Sequence, residues 1–266
     1  MKSFTINQKK HLSFIKLSND RNPIHDIKKN KSKLNLEGTV VHGMHIVLKS
    51  LESLSKNKNI NFKKIKALEG KFKNPVFLND KCLLIYKKIN SLQSILIITV
   101  QNVEIIQIMI FLKKNENLKI NKIKKKSNTL KKPLINHIEK KSKREFFFNH
   151  SSSEIKIKKE FPSLYKNLGS ARLSGIIMMS TSVGMYWPGK NSLFSSYVIN
   201  FNNTNKKKIH LKVIKTDKRF FYSKSKLISS GIEATIYSFF RSENIKQKKI
   251  SFIKKYIKNN KFKDHR

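Results

Sequence analysis

Cysteine is nearly absent: Cys82 is the only one in 266 residues. That excludes a disulfide scaffold and any metal site built from thiolates alone, and it fits a reducing cytosol. Glycine is scarce too, at eight scattered positions, so no Gly-rich loop that would cradle phosphate is present. Long apolar runs are missing. The longest stretches, Ile95–Val100 and Ile105–Leu112, fall far short of the ~20 residues a membrane helix needs. Met1–Lys16 has no continuous apolar core of signal-peptide length. The expected compartment is the cytoplasm, with no membrane partner.

Acidic residues are few, 16 Asp+Glu against 58 Lys+Arg, for a formal net charge of +42. The charge is spread along the chain: net +13 over residues 1–112, +11 over 113–160 and +18 over 161–266. Arginine supplies only six of the cations, and specific nucleic-acid sites lean on its planar fork. Lys, Asn, Ile and Phe are inflated together, as codons rich in A and T would make them. The charge is therefore read as a background property, with a functional polycation as the alternative. The hydrophobic fraction of 38% is below the usual ~45–50%, but Phe, Ile and Leu are plentiful enough to build a core.

Periodicity organises the rest. Val40, Val41, Met44, Val47, Leu48, Leu51 and Leu54 recur at helical spacing and predict one helix with a wide apolar face. Four strand-like runs follow, Lys64–Phe72, Cys82–Ile89, Gln93–Val100 and Val103–Leu112. The second half repeats the order. Ser170–Tyr186 reads as a buried helix broken by Trp187-Pro188-Gly189, and strands are expected at Leu193–Phe201, Ile209–Thr216, Arg219–Ile228 and Ile232–Phe240. Phe72-Lys73-Asn74 and Phe201-Asn202-Asn203 lie 129 residues apart, and the later strands keep nearly that offset. The layout is α+β in two units: residues 1–113 and 161–245, joined by a Lys/Asn-rich linker over 114–160, with a basic tail at 246–266.

The chemistry-bearing stretch is Phe14-Ile15-Lys16-Leu17-Ser18-Asn19-Asp20-Arg21-Asn22-Pro23-Ile24-His25. Asn22-Pro23 enforces a turn between a carboxylate and an imidazole. Such a pair can hold a water and move protons on and off it. His42-Gly43-Met44 begins seventeen residues after His25, and the bare backbone of Gly43 at a helix start can polarise a carbonyl oxygen. On spacing alone, an Asp and a His in a polar loop are more often simply solvated. The histidines show no metal-ligand spacing, so no metal is expected.

These residues together resemble the MaoC-like (R)-specific enoyl-thioester hydratase and dehydratase family. Its motif of an aromatic, then Ser-Gly-Asp-x-Asn-Pro-x-His, then Val-x-His-Gly-Met appears as Phe14, Ser18–His25 and Val40–Met44. Gly70–Asp80, with its Asn74-Pro75-Val76-Phe77, is similar to the strand and turn that follow. The likeness spans most of residues 12–112. Asn19 stands where the pattern has Gly, and Ile27 where it often has Asp; the Asp20/His25 pair is intact.

The resemblance implies a double hot dog, with an active first unit and a degenerate second unit that lacks Asp-x-Asn-Pro-x-His. It implies a hydro-lyase of fatty acid metabolism that hydrates trans-2-enoyl thioesters or dehydrates (R)-3-hydroxyacyl thioesters. The carrier would be coenzyme A or an acyl carrier protein, and no other cofactor is needed. It assigns catalysis to Asp20, His25 and the Gly43 N–H. Substrate contact is expected at Asn22, His42, Met44, Gly189 and Ser192, with Asn22 bracing the loop rather than doing chemistry, and Met185–Ser192 is expected to form the opposite wall. The chain would be a pseudo-dimer in itself, compatible with further homodimers. The alternatives are thioester hydrolysis on the same fold, a catalytically silent hot-dog protein, or a basic nucleic-acid-associated protein.

Overall fold

In the computed structural model, the described residues are 2–26, 38–56, 60–113, 145–148, 153–203 and 208–240. Ten strands form one antiparallel sheet. They are β1 (Lys2–Thr5), β2 (Ile65–Phe72), β3 (Lys81–Lys88), β4 (Gln93–Val100), β5 (Val103–Leu112), β6 (Glu145–Phe148), β7 (Leu193–Phe201), β8 (Ile209–Asp217), β9 (Tyr222–Ser229) and β10 (Ile232–Phe239). The order across the sheet is β1-β3-β4-β5-β2-β7-β10-β9-β8-β6. The halves mirror one another about the β2–β7 seam. Glu69 pairs with Val198 there, and those two positions are themselves 129 residues apart. The sequence repeat is thus a pseudo-two-fold axis through the middle of the sheet.

Helices lie on the sheet's inner face: α1 (Gln8–Ser18), α2 (Gly43–Ser55), α3 (Glu154–Glu160) and α4 (Pro162–Thr181). The α2 helix starts at Gly43, after Val40 and Val41, which bridge to Phe77 and Val76 instead of joining it, and it buries Met44, Val47, Leu48, Leu51 and Leu54. Period-two burial along β4, with Ser94, Leu96 and Ile98 inside, marks the inward face of that strand. The two central helices, α2 and α4, pack on each other.

Glu52 on α2 links them. Its Oε1 accepts from Ser163 N at 3.1 Å and its Oε2 from Leu164 N at 2.8 Å, so it caps the start of α4. Glu52 is buried. Glu52→Ala would strand two first-turn N–H groups and is expected to cost about 2–3 kcal/mol of unfolding free energy, measurable by urea titration.

Several boundaries differ from expectation. The linker is shorter than 114–160, because Glu145–Phe148 pairs with β8 at the sheet edge and Glu154–Glu160 is α3. Residues 114–144 and 149–152 and the tail at 246–266 lie outside the described residues. The second central helix starts at Pro162, well before Ser170, with a kink at Gly169 (φ 79°). It ends in a π-turn over Ser182–Tyr186. Strand β9 begins at Tyr222 because Arg219 folds back onto Asp217 (2.9 Å) and Phe221 takes φ 49° to close the hairpin.

Candidate active site

The loop that carries the dyad is fixed at both ends. Helix α1 starts at Asn7, whose side chain accepts from Lys10 N (3.0 Å), and stops at Asn19, which is left-handed (φ 57°). Asn at this position supplies the αL conformation that a Gly would otherwise provide. Pro23–His25 then forms one 3₁₀ turn. On the far side, Val41 N donates to Val76 O (2.8 Å) and Val40 bridges Phe77, which pins the strand-like approach to α2.

Asp20 is 2% exposed, and each of its oxygens is held. Oδ1 accepts from Asn22 N (3.0 Å) and Oδ2 from the Ser180 hydroxyl on α4 (2.6 Å). Burial pushes its carboxyl up to about 6, against the pull of these two hydrogen bonds.

His25 donates from Nδ1 to Val40 O (2.8 Å), which leaves Nε2 with its lone pair. Burial lowers its pKa to about 3, so it is neutral across the ordinary range. Ligand atoms of Asp20, His25 and His42 all lie within 4.8 Å of one another. The His25 and His42 rings stack at 3.5 Å and 24°, and the Nε2–H of His42 donates to Asp20 O (3.2 Å). Stacked rings aim their in-plane lone pairs along nearly parallel planes, and both imidazoles spend one nitrogen on a main-chain carbonyl.

A cavity of about 400 Å³ opens beside the dyad. Asp20, His25, Gly43 and Met44 line it, as do Ile24, Phe72, Val76 and Ile106 from the first unit. The second unit supplies Ser180, Val183, Gly184 and Ser192 to Ser195. The N–H of Gly43, the first of α2, has no intrahelical acceptor by helix geometry, and it sits at the positive end of the helix dipole.

The other expected contacts divide. Met44 and Ser192 line the cavity. Asn22 also touches it, but its side chain is spent on bracing: Oδ1 accepts from Asn191 N (3.0 Å) and Nδ2 donates to Ser192 O (3.2 Å). His42 does not line the cavity; it is fully buried behind His25. Gly189 does not line it either, because its N–H turns inward to Val183 O (2.9 Å). The opposite wall is accordingly Ser180–Gly184 and Ser192–Ser195 in place of Met185–Ser192. Met185 instead accepts from Arg21 N through its sulfur (3.2 Å).

Three residues near the dyad escape a reading of the sequence. Ser180 and Gly184 lie far along the chain, and their only signal is the hydroxyl run Ser180-Thr181-Ser182 inside an apolar helix. The Thr181 hydroxyl donates to Ser18 O, so this run grips the dyad loop from across the seam. The third, His11, belongs to the buried stripe of α1 with Phe14 and Leu17.

Two helices lying in a single curved antiparallel sheet, with the cavity where the halves meet, define a double hot dog. The solved structures agree in fold. A MaoC-like dehydratase is similar over 90% of this chain and 96% of its own, with a TM-score of 0.56 at 9% identity. A MaoC domain protein dehydratase from Chloroflexus aurantiacus J-10-fl covers 91% and 94%, with a TM-score of 0.55 at 10% identity. HtdX of Mycobacterium tuberculosis covers 89% and 97%, with a TM-score of 0.50 at 8% identity. No curated protein sequence matches the chain. The family model described as "MaoC like domain" matches residues 1–101, most of the first unit. Among the described residues no helix is long and apolar enough to cross a membrane.

Proposed function

We propose that this protein is a hydro-lyase that adds water reversibly across the double bond of a trans-2-enoyl thioester. The observation that carries this is the placing of buried Asp20 and His25, with ligand atoms within 4.8 Å, on the wall of a largely apolar cavity beside the N–H of Gly43. The acyl chain fits the apolar lining and the thioester carbonyl meets Gly43.

A water between Asp20 and His25 donates one hydrogen to the carboxylate and the other to His25 Nε2. Its oxygen bonds to C3 of the enoyl group as the proton passes to Nε2. The π electrons move onto the thioester oxygen, where the Gly43 N–H and the α2 dipole stabilise the enolate. The enolate then collapses and C2 takes the proton from Nε2. One water has been added, and both side chains have returned to their starting state. Asp20, within 4.8 Å, steadies the transient imidazolium. Dehydration is the reverse, and the (R)-3-hydroxyacyl product follows the family resemblance.

The carrier is coenzyme A or an acyl carrier protein, and the chain's excess of lysine favours either anionic carrier on approach. The step itself uses only water and the chain's own groups. Steady-state kinetics against pH test it. Because the working form is the Asp20 carboxylate, kcat/KM should rise with pH through about 6 and then level off. A flat profile between pH 5 and 8 would count against the assignment.

A further inference from the structure

His11 stands out among the buried polar groups of α1. It is 1% exposed, and its Nε2 lies 3.1 Å from the main-chain oxygen of His25. A carbonyl only accepts, so Nε2 carries the hydrogen. Its other nitrogen, Nδ1, is buried with no hydrogen-bond partner in the structure. An orphan ring nitrogen in a core is a stability cost that Leu or Met at this place would avoid. Burial keeps the ring neutral, as it does for its neighbours His42 (ring centroids 5.2 Å away) and His45.

The bond it makes is well placed. His25 ends the 3₁₀ turn, and the bond from His11 holds its carbonyl there. The imidazole of His25 is fixed on one edge by Val40 O and on one face by His42. The His11 bond fixes the backbone from which that ring projects. The arrangement is paired: His42 holds the carbonyl of Asp20 in the same way that His11 holds the carbonyl of His25.

We infer that His11 is a positioning residue for the hydration step, holding the His25 main chain so that Nε2 stays aimed at the reacting water. This rests on reading Asp20 and His25 as the dyad. The test uses the full chain with two substitutions of similar size, His11→Gln, which keeps a donor, and His11→Met, which does not. Hydration of an enoyl thioester is followed for kcat and KM separately, alongside thermal melting.

The expected result is a loss of about tenfold or more in kcat for His11→Met, since small misplacements of reacting groups are costly. KM should stay near wild type, and His11→Gln should recover kcat to within about threefold of wild type. Wild-type kcat in His11→Met, or equal kcat losses in both variants that track their melting temperatures, overturns it. Should the methionine variant not fold, His11→Gln decides alone: kcat within that threefold supports the role, and a loss of tenfold or more refutes it. A wild-type protein without hydratase activity overturns both this inference and the dyad assignment. Wild-type activity lost in Asp20→Asn, but untouched in the His11 variants, overturns this inference only.

Discussion

Asp20→Asn and His25→Ala should each lower kcat for enoyl-thioester hydration by about 10²–10⁴-fold while the protein stays folded, the range general acid–base groups command. The two losses arise differently. Asn at position 20 keeps the shape that Ser180 and the Asn22 N–H hold in place. It cannot steady an imidazolium, and its amide presents a donor where the water needs an acceptor. Ala at position 25 removes the nitrogen that shuttles the proton and leaves Val40 O without its donor. Groups that act as a unit lose activity non-additively, so the double variant should be scarcely worse than either single one. Circular dichroism and melting curves check the fold; losses under threefold in both singles would remove the dyad from the mechanism.

Gly184→Ala should be nearly as damaging, although it adds one methyl in the other unit. A Cβ there would stand 2.2 Å from Asp20 Oδ1 and 2.8 Å from its Cγ. The carboxylate must swing away and surrender its bonds from Ser180 and Asn22. A displacement near 1 Å is worth about a hundredfold in rate. The second unit, which has no dyad of its own, thereby shapes the active carboxylate: Ser180 bonds to it, Gly184 makes room for it, and Thr181 holds the preceding turn. Adding Gly184→Ala to Asp20→Asn should cost little further, because the group it displaces is already inert. A Gly184→Ala protein with unchanged kcat would mean that the carboxylate's position is not critical.

How much of this was legible in the sequence follows from how local each feature is. Asp20, Asn22, Pro23 and His25 sit in one turn, and the turn chemistry is written in neighbouring residues. The α2 helix and strands β4 and β5 carry strong periodicity; α2 forms from Gly43 on, and β4 and β5 form with the expected ends. The 129-residue offset carries over into the symmetric sheet. Helix α1 was hidden because its buried stripe contains His11 and Ser18, and lysines crowd its exposed side. Strand β6 was hidden because four residues in a Lys/Asn-rich stretch give no alternation to count; only the edge of β8 gives them a place. The Ser180 bond to Asp20 spans 160 residues and the seam between units, and nothing local encodes it. His42 misleads for a related reason. It sits in the motif, yet its ring turns behind His25 to hold the Asp20 carbonyl instead of facing the substrate.

The most direct test of the central claim is to incubate the protein with a trans-2-enoyl thioester and follow enoyl absorbance and free thiol together. The hydro-lyase account predicts that the enoyl signal falls, a 3-hydroxyacyl thioester accumulates, and no thiol appears. Release of thiol with the double bond intact, or no change in either signal across short and long acyl chains on both carriers, would contradict it.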